Sequence, residues 1–274
     1  MADNIEAQIL SEINKTGFHL ELRVSDWLAK WKYSAKHSVY YIDNDESKGR
    51  ELDILAHKTS WKEERKFLWF ADNVLAVECK KSDKPWVIFT SPKDGDDDNN
   101  IFLYDHIVER DIEMPIWTSD TIWETVIDPV SAINPLFNHS RIGRTYFVPF
   151  TNSENSEIIY KSLTTAVKAT IAIKENSGYG GSRVIFYYPT VVLQGRLFES
   201  YLENGESKLV ETEIVPVSFT YQSAKYKPVN FIVPIVTENV FEKYLSSLEK
   251  TLELWIKLLK DDVKFANTNE IVKP

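Results

Sequence analysis

The run VLAVECKK, residues 74–81, constrains this chain more than any other segment. Its first half is apolar in consecutive positions, the pattern of a strand covered on both faces. Glu78 and Lys80 then interrupt it at a spacing of two. Side chains alternate along a strand, so Glu78 and Lys80 share one side while Val77 and Cys79 share the other. Charge buried without a partner or a metal is costly. The strand-like segment ELDILAHK, 51–58, carries Asp53, which can project to the same side. Two carboxylates and an ammonium then converge at one sheet edge.

Phosphodiester cleavage needs that mixture. Mg²⁺ (or Mn²⁺) takes oxygen ligands, typically one or two carboxylates with waters and substrate phosphate. The metal activates a water and neutralises charge developing on the phosphate. Lys80 can position or deprotonate that water, or stabilise the transition state. The competing reading is a salt-bridged set on a half-exposed strand face. The apolar setting of VECK weighs against it.

Patterning elsewhere predicts the scaffold. Residues 5–14 have helical spacing. In 18–32, Leu20, Val24, Trp27, Leu28 and Trp31 fall on one face of an amphipathic helix. Strands are expected at 38–43, 51–58, 74–81 and 86–91, with a charged connection or hairpin excursion at WKEERKFL. A long irregular stretch from about 92 to 156 reads as an insertion. A second amphipathic helix spans about 157–174 and stops at SGYGGS. RVIFYY, TVVLQGRLFESYL, LVETEIVPVSFTY and NFIVPIVT read as strands, with Asn204-Gly205 as a hairpin tip. A closing helix is expected from about Glu238 to Leu259.

The net charge of -9 excludes a protein that coats nucleic acid non-specifically, since such binding needs many cations against phosphates. It leaves room for a carboxylate metal site. The single cysteine, Cys79, rules out an intrachain disulfide and a cysteine-rich zinc site. The N-terminal residues lack the basic-then-apolar pattern of a signal peptide, and no apolar run reaches the length of a membrane span. The expected location is cytoplasmic, with no membrane association.

GRELDILAHK followed by VECKK resembles the PD-(D/E)xK superfamily of restriction-endonuclease-like nucleases. The resemblance covers roughly the first third of the chain: the helix with Glu21, the strand with Asp53 and the strand with Glu78-x-Lys80. It implies an α/β fold, a restriction-endonuclease-like core whose mixed central sheet is flanked by helices. Additional C-terminal strands and a closing helix would complete one domain over 1–274. It implies a Mg²⁺- or Mn²⁺-dependent endonuclease with nucleic acid, DNA first, as its partner. Asp53 and Glu78 would bind the metal with the Cys79 backbone carbonyl, and Lys80 would be catalytic. Glu21 matches the acidic residue that many members carry on the first helix, although an ordinary solvated helix charge reads the same way. Leu52 stands where the motif has Pro, and the interval after the Glu-x-Lys strand is long. One site cuts one strand, so duplex cleavage would call for a homodimer.

Lys81, Lys161 and Lys168 are candidate phosphate contacts. For Lys161, Thr165 and Lys168 the plainer reading is the wet face of a helix. DGDDDNN, 94–100, spaces Asp94, Asp96 and Asp98 like a calcium loop. Asn99 stands where that loop needs glycine and Asp105 where it needs glutamate, so it reads as a mobile acidic loop. The five histidines show no close metal-ligand spacing, and His57 is of interest only for following the Asp53 strand. Two other functions compete with the nuclease. One is a binding module for nucleic acid or protein that keeps the fold without activity; the intact Asp, Glu and Lys speak against that loss. The other is a carbohydrate-active protein, which needs two carboxylates across a sugar cleft and has no role for a neighbouring lysine.

Overall fold

The computed structural model describes residues 2–64, 67–94, 103–107, 134–150, 157–178 and 182–269. Two helices, α1 (Ala2–Lys15) and α2 (Phe18–Lys30), precede an antiparallel meander of β1 (Ser34–Asp43), β2 (Lys48–Glu64) and β3 (Phe67–Lys81). WKEERKFL is the hairpin of the two alternatives: β2 and β3 stay in register to Glu64↔Phe67. Then follow β4 (Trp86–Pro92), β5 (Leu103–Ile107), α3 (Pro135–Asn138), β6 (Arg141–Phe147) and α4 (Glu157–Glu175). The last part comprises β7 (Ser182–Gln194), β8 (Leu197–Glu203), β9 (Glu206–Thr212), β10 (Ile214–Tyr221), β11 (Val229–Thr237) and α5 (Phe241–Asn269). One mixed sheet runs β1-β2-β3-β7-β11-β10-β6-β4-β8-β9, with β5 beside β7.

Helices cover both faces of this sheet. On one side Leu20, Val24 and Leu28 of α2 and Tyr244, Leu248 and Leu252 of α5 pack on Ile54, Val77 and Cys79. The repeated spacing of four puts these helix residues on one stripe each. Burying a side chain of this size contributes about 1.5–3 kcal/mol. On the other side Ile159, Leu163 and Val167 of α4 pack on Val191 and Leu193, and Ala169 and Ala172 on Leu52 and Ala76.

Four expectations need correction, one of them that LVETEIVPVSFTY is a single strand: it breaks at Glu213 into β9 and β10. The irregular insertion at about 92–156 contains β6, an interior strand between β10 and β4. Its sequence RIGRTYF reads as loop because Arg141 breaks the apolar pattern; Arg141 instead bonds Thr90 and pairs with Glu199 at 3.2 Å. TVVLQGRLFESYL is not one strand: it breaks at Gly195–Arg196, where a Cβ on Gly195 would meet the Ser82 carbonyl oxygen at 2.7 Å. RVIFYY and TVVLQ, in turn, are one strand, β7, running through Pro189. Pro189 falls after the β5 pairing, which ends at Tyr187, and before the β11 pairing, which begins at Val191. A missing N–H costs a ladder least in such a gap. The Asn204-Gly205 tip is as expected, with φ of 53° and 82° at its two residues. The acidic loop after Asp94 lies outside the described residues.

Candidate active site

Asp53 lies where the alternation of β2 reverses. Leu52 packs with Tyr41 and Ala76 under α4, yet Ile54, two residues on, packs with α2 on the other face. In β1, Ser38, between the pairs His37↔Ile54 and Val39↔Leu52 and skipped by the ladder, has a φ of 46°, a left-handed conformation that a regular strand avoids. The ladder between β2 and β3 begins at Ile54↔Val77, so just past it the Asp53 side chain can turn toward β3. Its Oδ2 accepts the backbone N–H of Cys79 at 2.7 Å. The Cys79 N–H, not a side chain, is thus what ties Asp53 to the Glu-x-Lys strand. The Cys79 thiol itself is buried in the α2–α5 core.

Glu78 and Lys80 meet as strand periodicity requires. Lys80 Nζ is 2.5 Å from Glu78 Oε1. Glu78 is 5% exposed, and its Oε2 is enclosed without a hydrogen-bond partner among the described residues. Burial pushes the Glu78 carboxyl up to about 7; Lys80 pulls against that, and Asp53 and Glu21 push further. Asp53 is also raised, chiefly by burial, with the Cys79 N–H and Lys80 opposing. Glu21, in the first turn of α2, is raised by burial and then by the charge of Asp53. Burial is the largest single effect on the Lys80 ammonium and works against it, but the charge and hydrogen bond of Glu78, with the charge of Asp53, together outweigh it and hold Lys80 above its ordinary range. The four groups Glu21, Asp53, Glu78 and Lys80 therefore share one electrostatic neighbourhood.

In front of them lies a cleft of about 340 Å³ lined by Gly17, Glu21, Asp53, Cys79, Lys80, Lys81 and Asp83. Glu78 sits behind this lining. Lys81 opens onto the cleft, where a phosphate contact would be expected. Asp83 lies in the turn after β3, and no motif singled it out.

Lys161 and Lys168 are elsewhere, beside a second cleft of about 640 Å³ between α4, the β1–β2 hairpin and the end of β10. Lys161 is exposed and pairs with Glu157 at 2.7 Å, as expected of a wet face. Lys168 departs from that reading. It is largely buried and holds Asp43 at 2.7 Å. With Lys168 and two backbone N–H groups as partners, Asp43 stays below the ordinary carboxylate range even though burial opposes this. This pairing joins α4 to β1 across a long sequence separation, which no local pattern announces. His57 bonds the buried Asp72 at 3.0 Å, which Arg183 and Thr59 also approach, away from the cleft residues.

The donor set suits a hard divalent cation. Oε2 of Glu78 is buried with no hydrogen-bond partner among the described residues, and the charge of Asp53 raises Glu21 while Asp53 and Glu21 both raise Glu78, a strain that a cation relieves. Among the described residues no three His, Cys, Asp or Glu side chains form a metal cage. A cation here would complete its shell with water and substrate oxygens, as Mg²⁺ commonly does. Lys80 clasped to Glu78 is also the wrong arrangement for two carboxylates facing across a sugar.

Among the described residues no helix is long and apolar enough to cross a membrane. No family model, curated protein or solved structure matches the chain.

Proposed function

We propose that the chain is a metal-dependent endonuclease of the restriction-endonuclease-like type, hydrolysing phosphodiester bonds in nucleic acid, DNA foremost. The observation that carries this reading is the pairing of Lys80 with a buried Glu78 whose second oxygen is left free, beside Asp53. A merely structural ion pair has no need of an unpartnered carboxylate oxygen, which is costly to bury. The topology supports the same reading. An antiparallel β1–β2–β3 meander follows α2, and β7 then pairs parallel to β3 with Glu78 opposite Val191. The helix preceding β7 is α4, which covers the sheet face under which Leu52 and Ala76 pack.

Asp53 and Glu78, with the Cys79 carbonyl, would hold Mg²⁺ or Mn²⁺. The cation, when bound, supplies a Lewis acid for the phosphate and a more acidic water. The chain's own groups do the rest. Glu78 keeps Lys80 an ammonium and fixes its position, so Lys80 donates to the attacking water or to the phosphate oxygens. The Cys79 N–H fixes the Asp53 rotamer. Glu21, half-buried at the mouth, can orient a water by accepting its hydrogen. Lys81 faces the cleft as an electrostatic guide for the substrate backbone.

The test is a cleavage assay on single- and double-stranded DNA and RNA with Mg²⁺, Mn²⁺ or chelator. Metal-dependent cleavage abolished by Lys80→Ala is the expected result. Inertness toward all four substrates with both metals would move the assignment to a binding module without activity.

A further inference from the structure

The 640 Å³ cleft beside α4 is unlike a phosphate pocket. Its cations are already matched by carboxylates. Arg50 holds Glu46 at 2.6 Å, Lys168 holds Asp43, and Lys161 holds Glu157. A phosphate entering would compete with three formed pairs and meet Glu51 as well. What the cleft offers instead is ring surface set among these already paired charges. Tyr160 is half exposed, and its ring is braced by Phe219 at a centroid distance of 6.0 Å. Tyr41 and Tyr221 are buried in the walls. Thr164 Oγ1 is enclosed without a hydrogen-bond partner among the described residues, and the amide of Gln222 stands at the rim. A planar heteroaromatic group with donors and acceptors on its edge matches this lining.

The cleft adjoins the carboxylate site. Tyr41 packs on Leu52, next to Asp53, and on Ala76, one strand repeat before Glu78. Glu51 lines the cleft two residues from Asp53, roughly 6–7 Å along the strand. We propose that the cleft receives an unpaired nucleobase, stacked on Tyr160, from a strand whose neighbouring phosphate lies at Asp53, Glu78 and Lys80. This rests on the nuclease reading of that site and deepens it. The substrate is then single-stranded, or a duplex with a locally unpaired base, because a paired base cannot leave the stack without an unpairing cost.

The test is binding of fluorescently labelled oligonucleotides to the full chain in chelator, read by anisotropy, so that affinity is separated from cleavage. Three probes are compared: a single strand, its fully paired duplex and the same strand made wholly of abasic sites. The single strand should bind about tenfold or more tighter than the other two, and Tyr160→Ala should lose about that factor, the usual worth of one base–ring stack. Tyr160→Phe should keep it, since the ring and not the hydroxyl does the stacking. Tyr160 is half exposed, so both variants should unfold at the wild-type temperature, which is checked alongside. Equal single-strand affinity in wild type and Tyr160→Ala, or a preference for the duplex, overturns the proposal. Cleavage with Tyr160-independent binding rejects the base cleft and leaves the nuclease standing. Tyr160-dependent binding without cleavage under any metal does the reverse.

Discussion

Lys80 and Glu78 are joined at 2.5 Å across one strand repeat, and the bond uses only one of the two carboxylate oxygens. The other is enclosed and bare. The ammonium thus holds the Glu78 carboxyl without satisfying it, which leaves its second oxygen close to Asp53 and open to a cation.

That arrangement makes stability depend on pH. In the metal-free fold Glu78 keeps its proton up to about pH 7, well above the ordinary value of 4.5. A raised carboxyl pKa costs nothing below the unfolded value. The cost grows as pH climbs from there and is complete above the folded value. Glu78→Gln removes this titration. In chelator the variant should match wild type near pH 5 and exceed it by about 2 kcal/mol at pH 8, measured by thermal unfolding. A difference that does not change between the two pH values would contradict the assignment of the raised pKa to Glu78.

Mn²⁺ should raise the unfolding temperature of wild type at pH 8 and much less at pH 6, where the proton on Glu78 competes with the metal. Glu78→Gln should lose most of the gain. If both proteins gain equally, the metal is held elsewhere, for instance by the acidic segment that follows Lys93.

Lys80→Ala should abolish cleavage while nucleic-acid affinity falls by at most about one phosphate contact, seen as a salt slope lower by about one. A second effect should accompany it. Lys80 lowers the pKa of Glu78, so its removal lets Glu78 rise further and shifts Mn²⁺ binding to higher pH. Binding curves at several pH values read this directly. An unshifted curve would mean that Lys80 does not act on Glu78 in solution.

Gly143 of β6 tests the strand that was unexpected. A Cβ there would lie 2.6 Å from Ile88 Cγ2, 3.1 Å from Val217 Cγ2 and 3.3 Å from the Pro216 carbonyl oxygen. Gly143→Ala should therefore destabilise by about 1–3 kcal/mol, measured by urea denaturation, with the midpoint falling and the slope unchanged. Cleavage per folded molecule should be unaffected. Wild-type stability in this variant would show that β6 does not pass between β4 and β10.

What the sequence made legible was local. Glu78 and Lys80 share a face because strands alternate, and α2 presents Leu20, Val24 and Leu28 because helices repeat near 3.6. The meander needs only neighbouring segments. Asp53 was found by its motif, but its route to the site was not legible. That route depends on a reversal of alternation in β2 opposite the positive φ of Ser38, which no residue type there announces. β6 was hidden because the partners of its arginines, Thr90 and Glu199 for Arg141, come from strands far away in sequence. Lys168 reads as a solvated helix residue or a phosphate contact for the same reason: its partner Asp43 is 125 residues away. Charged residues that serve long-range pairs look like surface until the pairs are seen.

β7 also bears on how the protein comes apart. It matches β3 residue for residue from Ser182↔Trp69 to Gln194↔Lys81, and so spans nearly the whole strand that carries Glu78 and Lys80. Within it Val192 belongs to the core under α2 and α5, while Val191 and Leu193 belong to the core under α4. The two cores thus share a single run of backbone with successive side chains turned opposite ways, and no seam separates them. Neither can melt alone without exposing the other along β7. Loosening the β10–β11 pair, which adjoins β7, is therefore expected to lower the cooperative transition of the whole sheet, so that the strand carrying Glu78 and Lys80 holds its shape until the molecule as a whole lets go.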